Sequence, residues 1–247
     1  MIKKILYILL IINLLSCTTS PLECTFSGEA ITKNVELSSF DTIEVNPMVT
    51  LTIFQGMESK LAISTDKDVM DNISYEIQNN KLILTNHTDC LIKNSDAIAH
   101  ITLTTPILKK IIANTELTIQ SGNTWHFNDL TIICDNVSGG TNNVADFDFN
   151  IDNDNLRIVS NGSSVYRVFG ACQNLSVEFY GSGPSFWGQN LQAENIYVFQ
   201  RSQADMHLYP IQQITGDLYG YGDIYLYHRP PIVNITEHYS GHIYYVN

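Results

Sequence analysis

The chain has 247 residues, enough for one substantial core, and only 15% of them are charged while Asn, Thr, Ser and Tyr are frequent, a balance that suits exposed strands and turns better than surface helices. Its 13 Lys plus Arg face 25 Asp plus Glu, for a formal net charge of -12. Beyond Lys110 the basic residues, His aside, are Arg157, Arg167, Arg201 and Arg229, too few for the stripe that phosphate contacts need, which argues against nucleic acid as a partner.

Residues 1–16 read as a signal peptide. Lys3 and Lys4 form a positive start, and Ile5 to Leu15 is apolar except for Tyr7 and Asn13. As a helix that stretch rises only about 16 Å against a hydrocarbon core of about 30 Å, so it is a signal and not a span. Leu14-Leu15-Ser16-Cys17 resembles the lipobox of bacterial lipoproteins, which makes Cys17 the expected lipid attachment site. Loss of two lysines and no acid would move the formal net charge from -12 to -14, so the membrane partner would be held through acyl chains and not through anionic headgroups. Residues 17–35, interrupted by Pro21, suit a lipid-anchored tether. No acidic residue stands beside Cys17, which leans toward the outer membrane with the leaflet open. Cys24, Cys90, Cys134 and Cys172 remain; they allow three disulfide pairings or stand as buried free thiols, and none lies in a Cys-x-x-Cys pair.

From residue 36 the chain reads as one all-β domain. Over 36–110 alternating runs appear at 40–56, 60–65, 74–86 and 99–106, with "QNN" (78–80) and "QGMES" (55–59) as hairpin turns. This hairpin-rich start predicts an antiparallel segment that caps the rest of the domain. Over 111–247 a turn phrase recurs, its second residues being Thr115, Gly140, Ser163, Gly183, Gln203, Gly222 and Gly241. The interval between them shortens along the chain and then settles. A period of about 20 residues with short strands and Gly, Asn or Ser turns predicts a β-solenoid whose phrases are corners, Gly serving there for positive φ. Alternation sends Leu156 and Ile158, Leu175 and Val177, Ile196 and Val198, Ile224 and Leu226, and Ile243 and Tyr245 into the core. After the corner the first apolar residue comes two places on in Val165, Ile224 and Ile243 but three in Phe186 and Met206, which predicts bulges in the middle repeats.

In order along the chain, Phe40-Asp41-x-Ile43-x-Val45, Gln55-Gly56, Asn80-x-Leu82-x-Leu84, Thr102-x-Thr104-x-Pro106-x-Leu108, the Gly-x-Gly-Asp corners and Pro231 resemble the head GIN domain family of auto-transporter adhesins, a family of unknown function common in lipoproteins of Bacteroidetes-type bacteria. The likeness covers about residues 36–247. It implies a right-handed parallel β-helix-like fold outside the cytoplasm and carries no catalytic residues. Asn114-Thr115-Glu116, Asn161-Gly162-Ser163 and Arg201-Ser202-Gln203 depart from the pattern, so those corners are expected to turn differently.

Chemistry has few footholds. Asp146, Asp148, Asp152 and Asp154 lack the glycine of an EF-hand loop and read as solvated turn carboxylates, not a calcium site. Asp205 and Asp223 stand at different offsets from their corners and are expected to face opposite ways, and the arginines do not fall into one rung, so a polysaccharide-processing enzyme of the envelope is only the alternative reading. His238 and His242 would lie about 13 Å apart in a strand, too far to share a metal. Neither a cofactor nor an enzymatic activity is expected. The suggestive material is aromatic: Trp187, Tyr219, Tyr221, Tyr225, Tyr227, Tyr239 and Tyr244, with Tyr245 beside them, offer a surface for a glycan or an envelope protein, or for self-association through the last repeat; the competing reading is that they fill and cap its end. The sequence thus predicts a lipid-anchored, non-enzymatic, adhesin-like binding or scaffold module of the bacterial cell envelope.

Overall fold

A computed structural model describes residues 26–89, 95–135 and 144–246. The signal peptide, Cys17, Cys24, Cys90 and the corner at Gly140 lie outside the described residues. The fold is all-β, a curled sheet of mixed strand orientation. The strands are β1 (Ala30–Glu36), β2 (Thr42–Val45), β3 (Val49–Gln55), β4 (Lys60–Asp66), β5 (Ile73–Gln78), β6 (Lys81–Asn86), β7 (Ala99–Thr105), β8 (Lys110–Ala113), β9 (Ile119–Ser121) and β10 (Asp129–Cys134). They continue as β11 (Asp146–Ser160), β12 (Val165–Phe179), β13 (Ser185–Gln200), β14 (Met206–Leu218), β15 (Ile224–Leu226), β16 (Ile232–Glu237) and β17 (Ile243–Tyr245).

Two parallel ladders run through the sheet. One places β6, β2, β8, β10 and the second halves of β11, β12, β13 and β14 side by side, ending at β16. The other places β7, β3, β9 and the first halves of β11 to β14 side by side, ending at β15 and β17. Antiparallel pairing is confined to the amino-terminal end, where β5 lies on β6, β4 on β7, and β1 on β4. There the ladders finish in reversed strands, as the hairpin-rich start suggested. Asn79 and Asn80 both have positive φ, 51° and 62°, the geometry of a two-residue hairpin turn between β5 and β6. The expected hairpin at "QGMES" does not form: β7 stands between β3 and β4, parallel to the first and antiparallel to the second. The loop from Gly56 to Ser59 can step across one intervening strand, about 10 Å, without pairing the strands it joins.

Alternation places the core. One inward row runs Leu51, Ile119, Phe147, Tyr166, Phe186, Met206, Ile224 and Ile243 in direct register, all but the last buried. Burial of such a side chain contributes about 1.5–3 kcal/mol, an upper estimate because the unfolded chain already hides some surface. The residue entering the core after the Ser163 corner is Tyr166, not Val165, which points partly outward. Tyr166 stacks on Phe147 with ring centres 4.6 Å apart. Breaks of register do fall in the middle repeats, between Arg167 and Phe169 and between Trp187 and Asn195. Leu156, Ile158, Leu175, Val177, Ile196, Val198, Ile224 and Leu226 are buried as expected, whereas Ile243 is only partly covered and Tyr245 is 41% exposed. Among the described residues β16 and β17 each pair on one side alone, so nothing covers the last inward face.

The phrases at Ser163, Gly183, Gln203, Gly222 and Gly241 all fall between strands, and each long strand carries on through the middle of its repeat where two or three short ones were expected. The corner glycines serve a different end from the one predicted. Positive φ among the described glycines is limited to Gly28, Gly170 and Gly216. At the corners the backbones themselves approach: a Cβ on Gly222 would sit 2.0 Å from the Ala204 carbonyl oxygen, and one on Gly220 2.1 Å from that of Ser202. Each such corner is tied to the one before it, Gln203 N donating to Ser182 O at 2.9 Å and Gly222 N to Ser202 O at 3.1 Å. At two of the corners that depart from the family pattern, a buried hydroxyl ties the turn instead. Thr115 Oγ1 donates to Val49 O and accepts from Leu117 N; Ser202 Oγ donates to Pro184 O and accepts from Ala204 N. Both side chains bind their own turn and the preceding repeat together. Cys134 and Cys172 are free and buried, and burial pushes the Cys172 thiol up to about 12, so neither is a reactive thiolate.

Candidate functional site

Parallel register turns a repeat of about 20 residues into a line of side chains on the outer face. Arg167, Trp187, His207, Tyr225 and Tyr244 occupy one such line across β12, β13, β14, β15 and β17. Four of them stack: Trp187 on His207 at 4.2 Å and 14°, His207 on Tyr225 at 5.1 Å and 11°, Tyr225 on Tyr244 at 5.5 Å and 22°. Burial holds the His207 imidazole below its ordinary range, against the weaker pull of Asp205, so at neutral pH it joins the stack as a neutral ring. Tyr227 hydrogen-bonds its Nδ1 at 3.0 Å. Trp187 and Tyr244 are 42% and 45% exposed, and these flat apolar faces with polar rims are the kind that receive sugar rings or partner side chains.

The register break beside Trp187 opens a groove of about 530 Å³ lined by Arg167, Phe169, Trp187 and Gln189. Arg167 reaches Asp146 on the neighbouring strand β11 at 3.3 Å. Bulges re-aim side chains in this way at the rims of sites.

Apart from Tyr227, which packs against His207 at 5.8 Å, the remaining predicted aromatics do not join this row. Tyr219 belongs to a second one, Tyr180, Phe199, Tyr219 and His238, in which Tyr219 and His238 stack at 4.0 Å and 2°. Tyr221 and Tyr239 meet at a corner with their hydroxyls 3.1 Å apart, and Tyr245 lies under the Arg229 guanidinium at 4.2 Å. Trp187, Tyr219, Tyr221, Tyr239 and Tyr244 are all more than 40% exposed, so they are not filling the interior. His207, Tyr180 and Phe199 were missed because they are unremarkable in the linear sequence, and His238 was weighed only as a metal ligand. Stepping from Trp187 one repeat at a time, to His207, Tyr225 and Tyr244, would have found the row.

Two expectations about acids change. Asp205 and Asp223 do not face opposite ways; each accepts the backbone amide of the next repeat, Asp223 N at 2.8 Å and His242 N at 2.9 Å, so both cap corners on one side. Asp146, Asp148, Asp152 and Asp154 are not in a turn but on β11, on its outward positions. His238 and His242 bind different carboxylates, Asp217 at 2.7 Å and Glu237 at 2.9 Å. No cluster of three or more metal-ligating side chains occurs among the described residues, and no described helix is long and apolar enough to cross a membrane.

The family model described as "Putative auto-transporter adhesin, head GIN domain" matches residues 39–230. A protein of Bacteroides fragilis described as a "putative adhesin" has the same fold at a TM-score of 0.79 and 18% identity, with 91% of this chain and 100% of that one covered. A "putative adhesin" of Parabacteroides merdae aligns at 0.62 and 13% identity, over 90% and 98% of the two chains. A "putative lipid binding protein" of Parabacteroides distasonis aligns at 0.62 and 17% identity, again over 90% and 98%. No curated protein matches significantly.

Proposed function

The chain belongs to the head GIN domain family, and on that premise we propose that it is a non-enzymatic, adhesin-like binding module held at the bacterial cell envelope by a lipid on Cys17. The long parallel ladders, with corners stacked one repeat apart, support reading the repeats as a right-handed β-helix-like solenoid capped by β1, β4 and β5. On such a body the exposed stack of Trp187, His207, Tyr225 and Tyr244 is the docking surface for an envelope glycan or protein, and it is the observation that carries the reading. Asp205 and Asp223, the acids that the enzymatic alternative would use, are engaged by backbone amides instead.

Binding of the full chain in detergent to an array of envelope glycans and proteins tests this. Trp187→Ala and Tyr225→Ala should each weaken the strongest interaction by about 3- to 10-fold, from the roughly 0.5–1.5 kcal/mol of one stacked ring. Unchanged binding by both variants would remove the row from the function.

The anchor is tested separately. Cys17→Ala should shift the protein from the membrane to the soluble fraction and abolish the mass added by the lipid, because stable attachment depends on buried acyl chains. A mature mass and partition equal to those of the wild type would reject lipidation at that residue.

A further inference from the structure

On the ladder away from the aromatic row, Asp129, Asn155, Asn174, Asn195 and Gln213 share one register position across β10 to β14. Their side chains hydrogen-bond in one direction: Asn195 Nδ2 donates to Asn174 Oδ1 at 3.0 Å, Asn174 Nδ2 to Asn155 Oδ1 at 2.8 Å, and Asn155 Nδ2 to the Asp129 carboxylate at 2.7 Å. Two places further along each strand stands a second outward row, Thr131, Arg157, Ser176, Tyr197 and Thr215. Between the rows the inward residues Leu130, Leu156, Leu175 and Ile196 form the floor of a groove of about 390 Å³. The groove therefore crosses five strands, about 19 Å at the spacing of hydrogen-bonded strands.

Its chemistry is a bonded line of amides from Asn195 to Asn155 that ends on the Asp129 carboxylate, with hydroxyls beside it and one aromatic face. The Arg157 charge is neutralised in place by Glu178, which accepts from Nε and Nη2 at 2.7 Å each and is itself held by Ser176 and Tyr180. Asn155 and Asn174 each give one N–H to the neighbouring side chain and have a second to offer, whereas Asn195 Nδ2 also reaches the Gln173 carbonyl at 3.5 Å. Tyr197 is 42% exposed over the fourth strand of the groove.

We infer that this groove binds a neutral, unbranched glycan laid across β10 to β14, with about one sugar per strand against the amide line and Tyr197 under one ring. The period decides between this ligand and an extended peptide. Amides recur about every 4.8 Å, close to the length of one pyranose unit, whereas a peptide strand repeats its faces about every 6.7 Å and would fall out of step within two strands. The inference rests on the reading of the protein as a binding module, but it uses a surface separate from the aromatic row.

The test is calorimetric titration of the full chain in detergent with linear 1,4-linked glucan, xylan and mannan oligomers of increasing length, and with an extended neutral peptide. For at least one glycan the affinity should climb with each added sugar and level off once the oligomer spans the five strands. Asn174→Ala and Tyr197→Ala should each weaken the longest oligomer by about 3- to 10-fold, the range for one hydrogen bond or one stacked ring. Tyr197 is exposed, so its variant stays informative even if Asn174→Ala melts early. Trp187→Ala should leave this affinity unchanged. Absence of binding by every oligomer, affinity independent of length, preference for the peptide, or binding lost in Trp187→Ala but kept in the groove variants would each overturn the inference, and the last would do so while leaving the aromatic row in place as the docking surface.

Discussion

Gly216→Ala should lower the melting temperature by about 10 °C, a loss of about 3–5 kcal/mol at 2–4 °C per kcal/mol for a chain of this size. Two costs combine there. Gly216 has φ of +136°, a region that residues with a Cβ avoid, which alone costs about 1–3 kcal/mol. A Cβ would also lie 1.9 Å from the Val198 carbonyl oxygen and 2.8 Å from its carbon, and backbone in the middle of a ladder cannot swing aside as a side chain can. Gly28→Ala separates the two costs, since Gly28 has φ of +72° but nothing within 4 Å of the added methyl. That variant should lose about 1 kcal/mol, the left-handed backbone penalty alone. Thermal unfolding followed by circular dichroism measures both. If Gly216→Ala melted within a couple of degrees of the wild type, the ladders would not be in the close contact that fixes their register.

The same close contact explains what the sequence revealed and what it hid. Corners were legible because turn chemistry is local: Gly, Ser and Asn recur at a settled period whichever reason keeps them there. The reason was not legible, since a glycine chosen for positive φ and one chosen to let a neighbouring backbone pass look alike in a string of letters, and among the described residues only Gly170 and Gly216 join positive φ to such an approach. Alternation gave the inward residues of β11, β12, β13 and β15, yet it set Val165 where Tyr166 belongs, because a corner one residue longer reverses every face after it. The order of the amino-terminal strands left no local trace. β2 and β3 lie between β6 and β7 on one side and β8 and β9 on the other, and parallel pairing over such separations is set by the packing of the whole sheet. Both candidate surfaces share this property. The aromatic row and the amide line are built of residues that acquire neighbours only when the repeats are in register.

Trp125→Ala should be the most damaging truncation of a side chain, at about 4 kcal/mol. Trp125 is fully buried between β9 and β10 and has a tie on either side. Its indole N–H donates to Ile53 O of β3 at 3.0 Å. Its backbone bridges β11, accepting from Asp152 N at 2.7 Å and donating to Asn150 O at 3.0 Å. The ring rests on Phe149 at 4.7 Å and Phe127 at 5.7 Å. Amino-terminal and carboxy-terminal strands thus meet on one side chain. Trp125→Phe keeps most of the ring and loses one hydrogen bond, while the Ile53 carbonyl still accepts from Gly122 N at 2.7 Å, so it should cost about 0.5–1.5 kcal/mol, and the difference between the two variants isolates packing from the hydrogen bond. Denaturant titration can be read from the other tryptophan, since the chain has two and Trp187 is 42% exposed. In Trp125→Ala the native emission should shift to the red, while Trp187→Ala should retain only the blue-shifted emission of the buried indole. Gly216 and Trp125 lie in different repeats with no shared partner, so their losses should add. Equal losses in Trp125→Ala and Trp125→Phe would make the bond to Ile53 the larger part of the joint. A loss below about 1 kcal/mol in both, under the usual range for emptying a core site, would mean that the two halves of the sheet are held together elsewhere, and that the register on which the aromatic row and the amide line depend is set without this residue.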